Sequence, residues 1–324
     1  MVHETSLASI IMQSKVTRMS TNRLLLVLYC CTFSKDLKRV ERLLQSIKQH
    51  NKENLKVFIS TPAKDLELFR NELSDYDFTL INEEDIIRKN QRIDMDFFYQ
   101  KPGWIQQQII KSEFWRLDIS ENYLVMDSDC IFFKDFGLAD FMATDDVPYS
   151  IIHEGRDILQ ATERFGPKYA RKGFESCRLP IRDIMGRKGI IYDYGYAPFL
   201  WSRKVWEALD INYLQPNQMS FLDAVLKCDS EFTWYGESLV KYQPFPIYPR
   251  EQLFKHYHYE HQYWQDKKLG FTEEILKKDY LGVVYQSNWQ TWEDYGAPRK
   301  NIMSRMLRSL KRWAKYIQFQ IRIF

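Results

Sequence analysis

The sequence predicts an α/β protein whose mostly parallel sheet is flanked by helices, and three observations carry that expectation. Short apolar runs recur at residues 23–31, 56–60, 78–81 and 123–126. Between them, apolar residues recur at the spacing of a helix with one buried face. The 324-residue chain is 45% hydrophobic and 15% aromatic, ample for the core of one large domain or two small ones. Strand–helix alternation at this rhythm implies crossover connections, and so parallel neighbours in the sheet.

The first run, residues 23–31, reads as a buried strand. Ser34 then offers an N-cap, and Leu37, Val40, Leu44 and Ile47 set a helix over 36–50. Residues 56–60 are a second strand, and Pro62 stands where it can open another helix. Residues 78–81 are a third strand. A helix is expected next over 103–117 with Ile105, Ile109 and Phe114 inward. The second half is less regular. Residues 171–189 are basic and Gly-rich, which predicts a mobile loop. Residues 197–209 read as a strand or turn leading into a helix, and 221–227 as helix. Pro244, Pro246 and Pro249 break up the chain over 244–249. There is no internal repeat. The expected organisation is a polar leader over 1–21, one body over 22–298 and a tail over 299–324.

The most informative stretch is NYLVMDSDCIFFKDF, residues 122–136. An apolar strand delivers two carboxylates, Asp127 and Asp129, separated by Ser128. In extended backbone the side-chain period is two, so both would point to one side. Such a pair can hold a hard divalent cation that keeps open positions for phosphate oxygens; it can equally cap a turn or meet a basic partner. The same spacing at Asp75 and Asp77, and at Asp94 and Asp96, has no strand leading in and reads as solvated loop.

Five cysteines, odd in number, scattered and without C-x-x-C spacing, argue against a zinc site or a disulfide framework. From residue 299 onward there are eight basic residues and no acidic one, so the body carries 38 basic against 43 acidic residues. Ile302, Met303, Met306, Leu307, Leu310, Trp313, Ile317 and Ile321 recur at helical spacing in that tail. This is an amphipathic basic helix suited to an anionic membrane surface, or alternatively to docking on the acidic body. No nucleic-acid-binding module appears, so nucleic acid is not an expected partner. The chain start lacks the layout of a signal peptide, and the longest apolar run is too short to span a bilayer. The expected location is therefore cytoplasmic, peripheral on the inner face of the membrane.

The segment GWIQQQIIKSEFWRLDISENYLVMDSDCIFFKDF resembles the GT-A-fold, metal-dependent glycosyltransferases. It is similar in particular to a family of bacterial proteins catalogued mostly as a domain of unknown function. Further matching elements are Gly103 and Trp104 with Gln106, Gln107 and Lys111, then Ser230 and Glu231 with Tyr235 and Gly236, and finally Gln286, Ser287 and Asn288. The likeness spans residues 24–289. The insertion at 171–188 and the tail depart from it, so it says nothing of the acceptor. The resemblance implies a GT-A catalytic domain over 22–298, with Mn2+ or Mg2+ on the diphosphate of a nucleotide sugar, expected to be UDP-linked. It implies that Asp129 ligates the metal directly and that Asp127 meets ribose or metal through water. GT-A enzymes commonly add a C-terminal histidine, for which His256 and His258 share a face if extended; aromatic surface packing is the other reading of HYHYEH.

In an inverting enzyme a carboxylate takes the acceptor proton. Glu231 matches the family element, Glu237 is second and Asp223 third; each could also be a helix-start or surface acid. Gln107 and Lys111 lie four apart on one helix face, and a lysine there would add charge near the donor. Thr32, Ser34 and Asp36 follow the first strand, where GT-A folds bind the nucleoside. Trp104, Trp201 and Trp234 read as core. The expected function is transfer of a sugar from a nucleotide-sugar donor to a surface-glycan or glycolipid acceptor. Two other readings stay open. One is a non-catalytic binding or assembly protein at the membrane. The other is a haloacid-dehalogenase-type phosphatase, although that class wants Thr or Val where Ile131 stands.

Overall fold

The computed structural model describes residues 23–165, 170–286 and 302–322. The leader 1–21, Ser287 and Asn288 lie outside the described residues. The central sheet has five strands in the order β3 (Thr79–Asn82), β2 (Val57–Thr61), β1 (Leu24–Cys31), β4 (Ser120–Met126) and β7 (Phe199–Ser202). The first four are parallel, with Leu28 opposite Val57, Phe58 opposite Thr79 and Val27 opposite Tyr123. Only β7 runs antiparallel, with Trp201 opposite Tyr123.

The burial of β1 and β4 explains why both are continuous apolar runs. Val27, Tyr29, Tyr123 and Val125 enter the core on one face, and Leu26, Leu28, Leu124 and Met126 enter the core on the other. A parallel sheet covered on both faces wants apolar side chains at every position. The first face is covered by α5 (Gly103–Glu113) together with α9 (Arg203–Leu209), α10 (Phe221–Lys227) and α11 (Glu231–Tyr242). The second is covered by α1 (Leu37–His50), which buries Val40, Leu43, Leu44 and Ile47. A smaller sheet, β5 (Cys130–Phe132), β10 (Gly282–Tyr285) and β9 (Phe254–Tyr257), continues from the end of β4. Two short strands, β6 (Ser150–Ile151) and β8 (Pro249–Arg250), form a separate parallel pair. Short helices α2 (Leu66–Glu72), α3 (Glu83–Ile87) and α4 (Met95–Tyr99) link the strands of the first half, and α6 (Arg156–Phe165) comes after β6.

Several expectations change. Residues 171–189 are not a loop: α7 (Ala170–Ser176) and α8 (Leu179–Ile184) occupy most of them. Buried Arg178 between these helices pairs with buried Asp193 at 2.9 Å, which pins the insertion to the body. Ser34 is not a side-chain cap; its backbone N–H donates to Asp65 Oδ2 at 2.9 Å, inside a short 3-10 turn before α1. Asp94 does cap: its side chain accepts from Phe97 N–H at 2.8 Å to start α4, while remaining exposed. Trp201 and Trp234 are buried core, but Trp104 is 54% exposed, because it stands at the start of α5 beside an open cavity.

The tail is one helix, Ile302–Arg322, with Ile302, Met306, Leu310, Trp313 and Ile317 exposed. It touches the body where Tyr316 packs edge-on against Trp264, ring centroids 5.4 Å apart. Among the described residues no helix is long and apolar enough to cross a membrane.

Candidate functional site

Open parallel sheets bind ligands beyond the carboxyl ends of their strands. Here four such ends open into one cavity of about 870 Å3. Glu83 enters it after β3, Asp65 after β2, Thr32, Ser34 and Asp36 after β1, and Asp127, Ser128 and Asp129 after β4. The strand order that the sequence could not reveal brings these residues into one row.

The acidic pair does not lie in extended backbone. β4 ends at Met126, and residues 127–129 form a turn closed by the Cys130 N–H donating to the Asp127 carbonyl at 3.1 Å. The period-two argument therefore does not apply. Both side chains nevertheless line the same cavity, because the turn presents them there rather than the strand.

Behind Asp127 lies Lys111 of α5, only 3% exposed and ion-paired to Asp127 Oδ1. Burial works against the lysine charge, but the carboxylates of Asp127 and Glu231 outweigh it and hold its pKa above that of an ordinary lysine. Lys111 thus acts on Asp127 and does not line this cavity, contrary to the expectation of a lysine aimed at the donor. Gln107, one turn earlier, does line it, with Nε2 donating to the Cys31 carbonyl at 3.5 Å. Gln106 donates to the Lys101 carbonyl at 2.7 Å and fixes the chain entering α5.

Glu231 opens α11 and is buried. Burial lifts its pKa to about 7, against the opposing pull of the Lys111 cation. Glu237, roughly 9 Å further along the same helix, is engaged otherwise. Arg187 donates to both of its oxygens, at 2.6 and 2.8 Å. Asp223 closes a capping box with Ser220 at the start of α10, a structural task. Of the three acids weighed as a base, Glu231 alone belongs to the Asp127–Lys111 group.

His256 on β9 and His258 just after it stack, ring centroids 4.1 Å apart, beside Tyr196. Burial pushes His256 down to about 4 and His258 down to about 2, so both rings are neutral at physiological pH. In the small sheet His256 lies opposite Val284, which lies opposite Cys130, the residue that follows the acidic turn. Neither ring nitrogen of His256 meets a hydrogen-bond partner of good geometry. Both histidines also line a second cavity of about 670 Å3, bounded by Tyr192, Tyr196 and Tyr280.

Among the described residues no three His, Cys, Asp or Glu side chains converge as a ready-made metal site. The donors at hand, two carboxylates and a neutral imidazole, are nevertheless of the kind Mn2+ or Mg2+ accepts when a diphosphate completes the coordination. The residues fit a shared, substrate-completed cation better than a resident one.

Sequence reasoning missed Asp65 and Glu83. Both stand within four residues of a parallel strand's carboxyl end, and that rule would have found them. Burial, with the nearby Glu84 and Asp65 charges adding to it, raises the Glu83 pKa to about 7. Asp36 pairs with Arg39, yet burial still raises its pKa.

Fold and cavity together define an α/β protein with an open cavity along the carboxyl edge of a parallel sheet. Within that class the chain belongs to a family of unknown function, DUF6492, whose model matches residues 21–293. No curated protein matches it. Among solved structures it is similar to mouse xyloside xylosyltransferase 1 in its apo form, at 7% identity and a TM-score of 0.40, over 81% of this chain and 98% of that one. A likeness of that degree carries no argument about activity.

Proposed function

We propose that this protein is a GT-A-type glycosyltransferase that moves a sugar from a nucleotide-sugar donor to a glycan or glycolipid acceptor. One observation carries the reading. The acidic turn after β4 opens on a cavity of a size to take a nucleoside diphosphate, with Lys111 and Glu231 buried behind it.

Asp129 and His256 would hold Mn2+ or Mg2+, with His258 the alternative imidazole and Asp127 contributing through its charge. The cation supplies neutralisation of the charge that grows on the leaving diphosphate. Lys111, ion-paired to Asp127, holds that side chain in the turn. Glu231 accepts the proton of the acceptor hydroxyl as its oxygen bonds to the anomeric carbon; the sugar–phosphate bond breaks, and its electron pair leaves with the diphosphate. A carboxyl titrating near 7 suits a base at neutral pH.

The tail supports a membrane-held acceptor on the cytoplasmic face. Its exposed apolar residues and its eight basic residues without an acid match an anionic lipid surface.

The test is turnover. Purified protein with Mn2+ and a panel of nucleotide sugars should release nucleoside diphosphate from one donor, and EDTA should stop it. If Asp127 instead becomes phosphorylated, or no donor is turned over or bound, the transferase reading fails.

A further inference from the structure

The end of the cavity farthest from the acidic turn carries chemistry of its own. The strand order β3, β2, β1, β4 sets Glu83 three strand spacings from Asp127, roughly 14 Å at ~4.8 Å per strand. That is of the order of a nucleoside diphosphate laid across the strand ends, diphosphate over β4 and base over β2 and β3.

Two buried acids line that end, and a buried threonine after β1 stands between them and the acidic turn. Glu83 is 6% exposed and lines the cavity, and its carboxylate meets no hydrogen bond or ion pair among the described residues. Asp65 is 7% exposed and takes one hydrogen bond, from Ser34 N–H. Thr32 is 4% exposed, and its Oγ1 has no partner. Lys64 also lines this end, and the exposed rings of Phe33 and Trp104 stand on the same cavity. Aromatic faces stack on any base and do not choose among them. The choice falls to the polar groups.

At pH 8, above its pKa of about 7, the Glu83 carboxylate is ionised and only accepts hydrogen bonds. The base edge read there must therefore offer N–H. Guanine presents a ring N–H and an amino group side by side, enough for both carboxylates, and its carbonyl oxygen suits Lys64 or the Thr32 hydroxyl. Uracil offers one ring N–H between two carbonyls. Adenine and cytosine turn a ring-nitrogen lone pair toward the acids. From this geometry we infer that Glu83 and Asp65 form a nucleobase subsite that selects guanine, ahead of uracil and against adenine and cytosine. The inference rests on the donor-site reading and revises the uridine nucleotide implied by resemblance.

Isothermal titration of the full chain at pH 8 with Mn2+ and GDP, UDP, IDP, ADP and CDP tests it. GDP should bind tightest. IDP, which lacks the amino group, should bind roughly tenfold more weakly, and ADP and CDP by a hundredfold or more. Glu83→Gln is isosteric, and its thermal melt checks folding. It should weaken GDP roughly ten- to hundredfold and narrow the gap between GDP and IDP. Asp65→Asn, which keeps an acceptor for Ser34, should do so in part. Nucleotide binding without base preference, tighter binding of UDP than GDP, or an unchanged pattern in Glu83→Gln overturns the subsite and leaves the donor-site reading standing. Failure of every nucleotide to bind overturns both.

Discussion

Replacing Glu231 with Gln removes a carboxylate that the fold holds in a place poor for charge. Its pKa rises from the ordinary 4.5 to about 7 because burial penalises the ionised form more than Lys111 rewards it. The sign follows from proton binding. Between these two values the folded protein keeps a proton that the unfolded chain has released, so stability falls as pH rises. The contribution is fully present below about 4.5 and gone above about 7. At about 1.4 kcal/mol per pH unit, the loss amounts to roughly 3 kcal/mol. Glu231→Gln cannot ionise and escapes it. Urea unfolding of both proteins from pH 4 to pH 8.5 measures the difference directly. The variant should match the native protein at low pH and exceed it by about 3 kcal/mol above pH 7.5. Its catalytic rate should drop by roughly 10²- to 10⁴-fold, as for loss of a general base. A stability difference that does not change with pH would refute the burial argument. A rate that does not change would remove Glu231 from the reaction.

Other perturbations have equally definite outcomes. Lys111→Met leaves two carboxylates without their buried counter-charge and should cost about 3–5 kcal/mol in denaturant unfolding, relieved in the double variant with Asp127→Asn. Gly236→Ala places a methyl 1.9 Å from the Tyr194 ring; overpacking there should cost about 1–3 kcal/mol or more, read as a lowered melting temperature. Removing residues 299–324 should abolish sedimentation with anionic vesicles while leaving nucleotide binding intact, and salt should weaken the binding of the full chain.

The sheet was legible because burial on both faces writes itself as unbroken apolar runs in β1 and β4. α10 was legible from its spacing, and its bounds, Phe221–Lys227, are those read from the sequence. The acidic pair was found for a partly mistaken reason, since a turn rather than extended backbone presents it. Helices α7 and α8 were missed because glycine and basic residues masked the periodicity of Ile181, Ile184 and Met185. What holds them is long-range, through Arg178 and Asp193. Glu83 and Asp65 were within reach of the strand-end rule, but their coming together was not legible. They become neighbours only through the order of the strands, which no local pattern encodes. Trp104 looked like core by composition, but its place at the start of α5 leaves it on a cavity rim.

The proposed activity turns on whether the turn at residues 127–129 holds a metal–diphosphate. The most direct measurement is Mn2+ binding followed by electron paramagnetic resonance, with and without nucleoside diphosphate, in the native chain and in Asp129→Ala. A substrate-completed cation site predicts weak Mn2+ binding alone, binding at least tenfold tighter with the nucleotide, and loss of that enhancement in the variant. Mn2+ binding that nucleotide does not strengthen, or that survives Asp129→Ala unchanged, would contradict it.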